Sequence, residues 1–209
     1  MSNVCSFSIK KFLFIFLCCW LSGSWVYAQS AAPDLADFNA ERLRISRVGM
    51  AVLGSWAVGN LGLGALRVDH LQGEDKYFHQ MNMYWNAVNL ALAGFGYYSA
   101  ATTDGSTHSA FASLKEHYST EKILLLNTGL DVAYLMGGLY LLERGNNQEA
   151  GNKRDQFRGF GRSIIVQGGF LLLFDLALYL VHHHHLTQAR HLFEHLTLTG
   201  NSAGIILRF

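Results

Sequence analysis

Hydrophobic residues along this chain fall into four long stretches separated by polar segments. They cover about residues 48–66, 77–98, 122–142 and 163–181, and the first two contain no Asp, Glu, Lys or Arg. A helix of about 20 residues crosses a hydrocarbon core about 30 Å thick. A soluble bundle is disfavoured, because its surface helices would need charged faces. The pattern therefore predicts an all-α fold, a four-helix transmembrane bundle forming a single membrane domain over residues 29–209.

A shorter apolar run at the N-terminus has the features of a secretory signal peptide. Lys10 and Lys11 precede the apolar residues 12–21, and Val26 and Ala28 place small side chains before a cleavage point. We expect residues 1–28 to be removed; an uncleaved anchor, giving five spans, is the alternative. All three cysteines lie in this segment, so the mature chain would form no disulfide or cysteine-ligated metal site.

Charge and export together predict the surroundings and the orientation of the protein. A net charge of +1 provides no large basic face, which argues against nucleic acid as a partner. Signal cleavage leaves the new N-terminus outside, and four spans bring the C-terminus back to the same side. The density of basic residues in the two expected inner loops agrees with this orientation. The lipid bilayer is the expected partner, and a homo-oligomer is left open.

The segments between the spans have their own patterns. Asp37 is the expected N-cap of an amphipathic helix that runs into the first span. We expect a loop over residues 99–120, with 111–118 on the membrane surface, and a hydrophilic connection over 143–162. The tail predicts an amphipathic segment at 186–196 and β structure over 197–209. Small residues on the first span predict close helix packing there: Ala51, Ser55, Gly59 and Gly62.

The polar residues inside the last three spans recur at helical spacing. His79, Asn82, Asn86 and Asn89 follow one another at intervals of three, four and three, which puts them on one helix face. Similar spacing relates Asn127 to Asp131 and Tyr134 on the third span, and Gln167 to Asp175 and His182 on the fourth. Lipid satisfies neither amides nor carboxyl groups, so these faces should turn inward. The predicted buried polar site comprises Asn82, Asn86, Asn89, Asn127, Asp131, Gln167 and Asp175.

Two interpretations of this buried site stay open. The amides serve equally well as interhelical hydrogen bonds, each contributing about 0.6 kcal/mol. An Asp at mid-span costs about 2.5–3.5 kcal/mol on insertion, and two adjacent carboxyl groups cannot both ionise easily. The carboxyl groups are therefore either a protonated structural pair or a functional site. The functional reading favours a non-enzymatic membrane protein that binds a small ligand, a cation or a partner, with a proton or ion conduit as the alternative.

Clustered histidines at the end of the fourth span suggest a further alternative. Imidazoles bind divalent transition metals, which would make the protein a metal-assisted membrane enzyme. A water-facing histidine tract is the simpler explanation, and we expect no cofactor. The candidate metal ligands are His182, His183, His184, His185, His191 and His195.

Several short segments resemble an uncharacterised bacterial family of small exported multispan membrane proteins, a domain of unknown function. They are residues 54–60, 77–82 with Trp85 and Asn86, and 167–170 followed by Phe174 and Asp175. The resemblance carries no activity with it. It implies the bacterial inner membrane as the location of the protein.

Overall fold

Four long α-helices make up most of the described chain. The computed structural model describes residues 34–193 together with two short strands. The helices are α1 (Leu35–Arg67), α2 (Gly73–Thr102), α3 (Ala110–Asn146) and α4 (Asn152–Gln188). Each of the four predicted hydrophobic stretches lies within one helix, so the predicted helical architecture is confirmed. The proposed signal peptide at residues 1–28 lies outside the described residues.

Helix α1 begins three residues earlier than predicted. Asp34, not Asp37, is its N-cap, and the Asp34 carboxylate accepts a hydrogen bond from the backbone N–H of Asp37 at 2.8 Å. A side-chain oxygen in this position satisfies one of the free amide groups of the first turn. The continuous helix from Leu35 to Arg67 confirms that the amphipathic segment runs directly into the first hydrophobic stretch.

The predicted loop over residues 99–120 is much shorter in the structure. Helix α2 continues to Thr102, and α3 already begins at Ala110, capped by the Ser109 hydroxyl. Residues 111–118 form the first turns of α3 and are not a separate surface helix. The reason is tertiary packing, since Ser113 and His117 on this segment are fully buried.

The hydrophilic stretch over residues 143–162 is also mostly helical, contrary to the prediction. Helix α3 ends at Asn146 and α4 begins at Asn152, which leaves a short connection. Charged residues of this stretch contact α2. Arg158 and Arg162 on α4 form ion pairs with Glu74 on α2, at 2.9 Å and 2.7 Å. The polar residues of this stretch belong mostly to the ends of α3 and α4, which extend beyond the apolar stretches.

The C-terminal tail differs from the prediction in its first part and agrees in its second. Helix α4 ends at Gln188, and a 3-10 turn, Arg190–Phe193, replaces the expected amphipathic segment over 186–196. Strands β1 (Leu196–Thr199) and β2 (Ser202–Ile205) pair in antiparallel fashion, with Leu196 opposite Ile205. The expectation of β structure in the tail is confirmed.

The four helices alternate in direction, so each end of the bundle collects particular side chains. Helices α1 and α3 begin, and α2 and α4 end, at what we call the histidine end, where the α4 residue His185 contacts Phe38 of α1. The opposite, arginine end contains the Glu74 ion pairs with Arg158 and Arg162. Helix α1 packs on α2, α2 packs on α4, and α4 packs on α3.

Glycines bring α3 and α4 into backbone contact. A Cβ atom placed on Gly161 would lie 2.7 Å from the carbonyl oxygen of Gly138 and 2.8 Å from the backbone nitrogen of Leu142. Two turns further along the same interface, a Cβ atom on Gly168 would lie 3.4 Å from the carbonyl oxygen of Asp131. The absence of side chains at these positions allows the close approach.

The small-residue face predicted for α1 does not pack on another helix of the bundle. Ala51 and Ser55 are exposed, and no described atom lies within 4 Å of a Cβ placed on Gly59 or Gly62. Helix α1 packs through its other side, where Leu53 and Ala57 are buried. The packing role assigned to this face was wrong.

The outside of the bundle is apolar on every helix. Leu66 on α1, Phe95 on α2, Leu126 on α3 and Leu173 on α4 are each at least 64% exposed. Three helical segments are long and apolar enough to cross a membrane: Leu35–His70, Ala110–Asn146 and Asn152–Gln188. Helix α2 falls short by composition, since part of its sequence consists of the inward-facing amides described below.

Substitution of Gly161 by Ala should destabilise the bundle, because the new methyl group meets backbone atoms that cannot move cheaply. We expect the free energy of unfolding to fall by about 1–3 kcal/mol, measured as loss of helical circular dichroism during denaturant titration in detergent. Gly169→Ala on the same helix is the matched control. Nothing lies within 4 Å of its Cβ position, so its stability should stay equal or rise by up to about 1 kcal/mol. Equal losses in both variants would contradict the backbone contact.

Candidate functional site

Most of the polar residues predicted to face inward are buried in the bundle, but Tyr134 on α3 is exposed. Asn86 and Gln167 are fully buried, and Asn82, Asn89, Asp131 and Asp175 are 2–6% exposed, whereas Asn127 is partly buried. They come from α2, α3 and α4, which carry them on the faces that pack together. Helical spacing alone was enough to locate these faces.

A network of side-chain amides connects α1, α2 and α4. Gln167 on α4 donates to the side-chain oxygen of Asn82 on α2, and its own oxygen accepts from the indole N–H of Trp56 at 2.9 Å. Asn82 in turn donates to the side-chain oxygen of Asn60 at 2.9 Å. Trp56 also stacks on Phe170, with ring centroids 3.9 Å apart. The network is neutral and well bonded, which is typical of interhelical hydrogen bonding inside a membrane bundle.

Two further amides on α2 have unused bonding capacity. The side-chain nitrogen of Asn86 donates to the carbonyl oxygen of Asn82 at 2.7 Å, one turn back on the same helix. The side-chain oxygen of Asn86 and the side-chain nitrogen of Asn89 are buried and find no partner among the described residues. Buried polar groups without partners are costly, so this part of α2 offers one acceptor and one donor to the interior.

The two buried carboxyl groups lie together. Asp131 on α3 and Asp175 on α4 are close enough to interact electrostatically, and Asn127 also lies near Asp175. One oxygen of Asp131, Oδ2, has no amide or hydroxyl donor among the described residues. A hydrogen bond between two carboxyl groups requires a proton on one of them, because two carboxylates only repel each other.

The predicted residues do not form a single site, because Gln167 with Asn82 and Asp175 with Asp131 make two separate groups. Gln167 and Asp175 are eight residues apart on α4, about 12 Å along the helix axis. The amide network surrounds Gln167, and the carboxyl pair surrounds Asp175. The buried apolar side chains of Leu171 and Phe174 lie between them on the same helix.

A second buried polar cluster, at the histidine end, was missed by the sequence analysis. His117 on α3 and His182 on α4 are fully buried, with ring centroids 5.7 Å apart. Glu121, one turn after His117, is 7% exposed and places Oε1 3.4 Å from His117 Nε2. We call His117, Glu121 and His182 the histidine cluster.

Helix α1 closes the histidine cluster from the other side. Asn39 donates to the Ser113 hydroxyl at 2.8 Å, and the buried Arg42 pairs with Glu116 at 2.8 Å. A signal was present in the sequence, because Ser113, His117 and Glu121 are spaced four apart and lead toward Asp131. This segment was predicted as a loop because it lies outside the apolar stretch over residues 122–142.

The candidate metal ligands are dispersed in the structure. His182 is buried, whereas His183, His184 and His191 are exposed, and His185 contacts the carbonyl oxygen of Phe38 at 3.0 Å. His195 lies outside the described residues. Within residues 34–193, no three His, Asp or Glu side chains are arranged to hold a metal ion. The water-facing tract is wrong for His182, whose burial agrees instead with its expected place on the inward face of α4 with Asp175.

A known protein family matches the part of the chain that carries the amide network and the carboxyl pair. A model described as a family of unknown function, DUF6992, matches residues 52–176, more than half of the chain. The chain belongs to this family. The match contains the amide network and the carboxyl pair and ends before His182. No curated protein and no solved structure matches the sequence.

The amide network predicts energetic coupling between α2 and α4. Asn82→Ala and Gln167→Ala should each destabilise the folded protein, and the double variant should lose less than the sum of the two. The expected coupling free energy is about 0.6–1.7 kcal/mol, measured by denaturant titration in detergent. The pair Asn147→Ala and Gln167→Ala is the control, since Asn147 lies at the distant α3 terminus. Additive losses for Asn82 and Gln167 would show that their hydrogen bond contributes nothing.

Proposed function

We propose that this protein is an integral membrane protein in which all four helices cross the bilayer and the Asp131–Asp175 pair binds a proton. Support for the membrane comes from the exposed surface. Large apolar side chains face outward from every helix, and three helices are long and apolar enough to span. In water such a surface would favour aggregation.

Helix α2 fits a spanning role despite its lower hydropathy. Its polar side chains Asn82, Asn86 and Asn89 are buried against α1 and α4, while Val88, Leu92 and Phe95 face outward and are 59–75% exposed. A membrane helix needs apolar residues only where it meets lipid. The amides that lower the mean hydropathy of α2 are therefore compatible with a span.

The proximity of the two buried carboxyl groups is the observation that carries the proposed proton site. One proton must reside on the pair for the groups to attract each other, and the surrounding low dielectric opposes ionisation of both. Asn127 lies near Asp175, so its amide can stabilise the remaining charge. Among the ligands that the sequence leaves open, a proton is the smallest cation and matches this arrangement of oxygen atoms.

Two surface cavities lie away from the carboxyl pair. One, of about 360 Å³, lies near the histidine end between Ala36, Arg47 and Gly105. The other lies on the connection between α3 and α4, along residues 148–153.

A proton on the pair should give an infrared signature. In membranes or detergent at neutral pH, we expect the carbonyl stretch of a protonated carboxylic acid, which disappears on raising the pH. Asp131→Asn and Asp175→Asn should each remove this band, because the remaining carboxyl group no longer shares its proton with a second one. Infrared difference spectra collected during a pH titration measure the effect.

The exposed residue Glu149 provides the control for this experiment, and Glu149→Gln should leave the band unchanged. Helical circular dichroism verifies that each variant is folded. A wild-type protein without a protonated carboxyl band at neutral pH would overturn the proposed site. So would a band that persists in both Asp variants.

A proton conduit is the second candidate function. It is favoured by the line of buried polar residues on α3, where Ser113, His117 and Glu121 continue from the carboxyl pair toward the histidine end. Vesicles containing the protein would then dissipate an imposed pH gradient, and Asp131→Asn would stop the flux. Proton binding without flux identifies a binding site instead. The bacterial inner membrane, with both termini outside, stays our prediction for the location.

A further inference from the structure

We infer that the histidine cluster is a proton port, through which the Asp131–Asp175 pair exchanges its proton with water at the histidine end. This inference rests on the proposed function. It gives a functional role to the His117, Glu121 and His182 side chains, which are buried and form none of the described contacts with the carboxyl pair.

The two imidazole rings have unused proton-transfer capacity. The Nδ1 atoms of His117 and His182 are buried, and neither finds a hydrogen-bond partner among the described residues. A neutral imidazole has one nitrogen that donates and one that accepts, so it can take a proton on one side and release it on the other. Fully buried rings that serve packing alone would favour satisfied nitrogens.

Glu121 connects the buried rings to water. Its Oε1 atom lies 3.4 Å from His117 Nε2 and 3.2 Å from Nδ1 of His183, whose side chain is 55% exposed. The contact with His183 is already a hydrogen bond, and a small movement brings the contact with His117 to ordinary hydrogen-bond length. A proton arriving at His183 therefore has a short path through the Glu121 carboxylate to His117.

A single apolar layer separates the port from the carboxyl pair. His182 and Asp175 are seven residues apart on α4, about 10 Å along the helix axis. Leu178 on α4 and Leu124 on α3 are buried at the levels between them. Hydrophobic constrictions of this kind admit water only transiently, so the layer acts as the barrier that limits exchange.

The charges around the histidine cluster favour the passage of a proton and oppose its retention on an imidazole. Arg42 on α1 is buried beside the rings, and its positive charge opposes a lasting imidazolium. Glu116, which pairs with Arg42, also lies 3.8 Å from His108, and His185 flanks His117 at 6.1 Å between ring centroids. The titratable and charged groups facing the cluster are Arg42 and Glu41 from α1, His108, which precedes α3, Glu116 and Glu121 from α3, and His183 and His185 from α4.

The test measures how fast the carboxyl pair gains its proton after a rapid pH drop in detergent solution. We expect His117→Gln and Glu121→Gln to slow the appearance of the protonated carboxyl band by at least about tenfold. The final band intensity should stay unchanged, because the pair itself is intact. His184→Gln, an exposed histidine at the same end, is the control and should keep the wild-type rate. Added imidazole should restore part of the rate in His117→Gly by acting as a mobile proton carrier.

The possible outcomes separate the port from the proposed function. Wild-type rates in both His117→Gln and Glu121→Gln, with a band that Asp131→Asn still removes, would overturn the port and leave the proton site standing. A wild-type protein without the band would overturn both. If His117→Gln loses helical circular dichroism, Glu121→Gln carries the test, since the amide has nearly the volume of the carboxyl group. A slow rate that imidazole does not restore in a folded His117→Gly variant would also contradict the port.

Discussion

The structure depends on one constraint: polar side chains carried by apolar helices must find their partners inside the bundle. An amide or carboxyl group that faces hydrocarbon is left without hydrogen bonds, and each such group costs several kcal/mol. Asn82 and Gln167 form a hydrogen bond across the α2–α4 interface, and Asp131 and Asp175 lie close together across α3–α4. These pairs fix the rotation of three helices about their own axes. The outward display of apolar residues then follows, because the opposite faces are the ones left on the outside of the bundle.

Glycine placement makes the carboxyl contact geometrically feasible. Gly138 on α3 and Gly161 on α4 let the two backbones touch, and Gly168 packs against the backbone of Asp131. The short Asp side chains meet across α3–α4 because the helices are this close. Asp175 follows Gly168 by seven residues, two turns along the same face of α4. The glycine contacts and the carboxyl pair therefore depend on each other at this interface. A substitution that separates the two helices should also separate the two carboxyl groups.

The sequence predicted which faces turn inward but not how far each helix extends. Periodic Asn and Asp residues identify a buried face, because few alternatives satisfy them inside a membrane. Helix length is a different matter. The segment with Ser113 and His117 looks like a polar loop, yet contacts from Asn39 and Arg42 on a distant part of the chain stabilise it as helix. The small residues of α1 predicted a close helix contact that is not found among the described residues, since Gly59 and Gly62 permit close packing without requiring it. Long-range contacts of this kind have no local signature.

The central claim is that α4 has one face toward lipid and one toward a polar interior, and site-directed spin labelling tests it most directly. The cysteines of the chain all lie within residues 1–28, so after their replacement single labels can be placed at Val166, Leu173 and Leu180, and at Leu171 and Leu178. We expect labels at the first three positions to be relaxed strongly by oxygen, which partitions into lipid, and weakly by a water-soluble nickel complex. Labels at Leu171 and Leu178 should be protected from both reagents. Strong relaxation of Leu173 by the nickel complex, or equal access to oxygen all around the helix, would contradict the account.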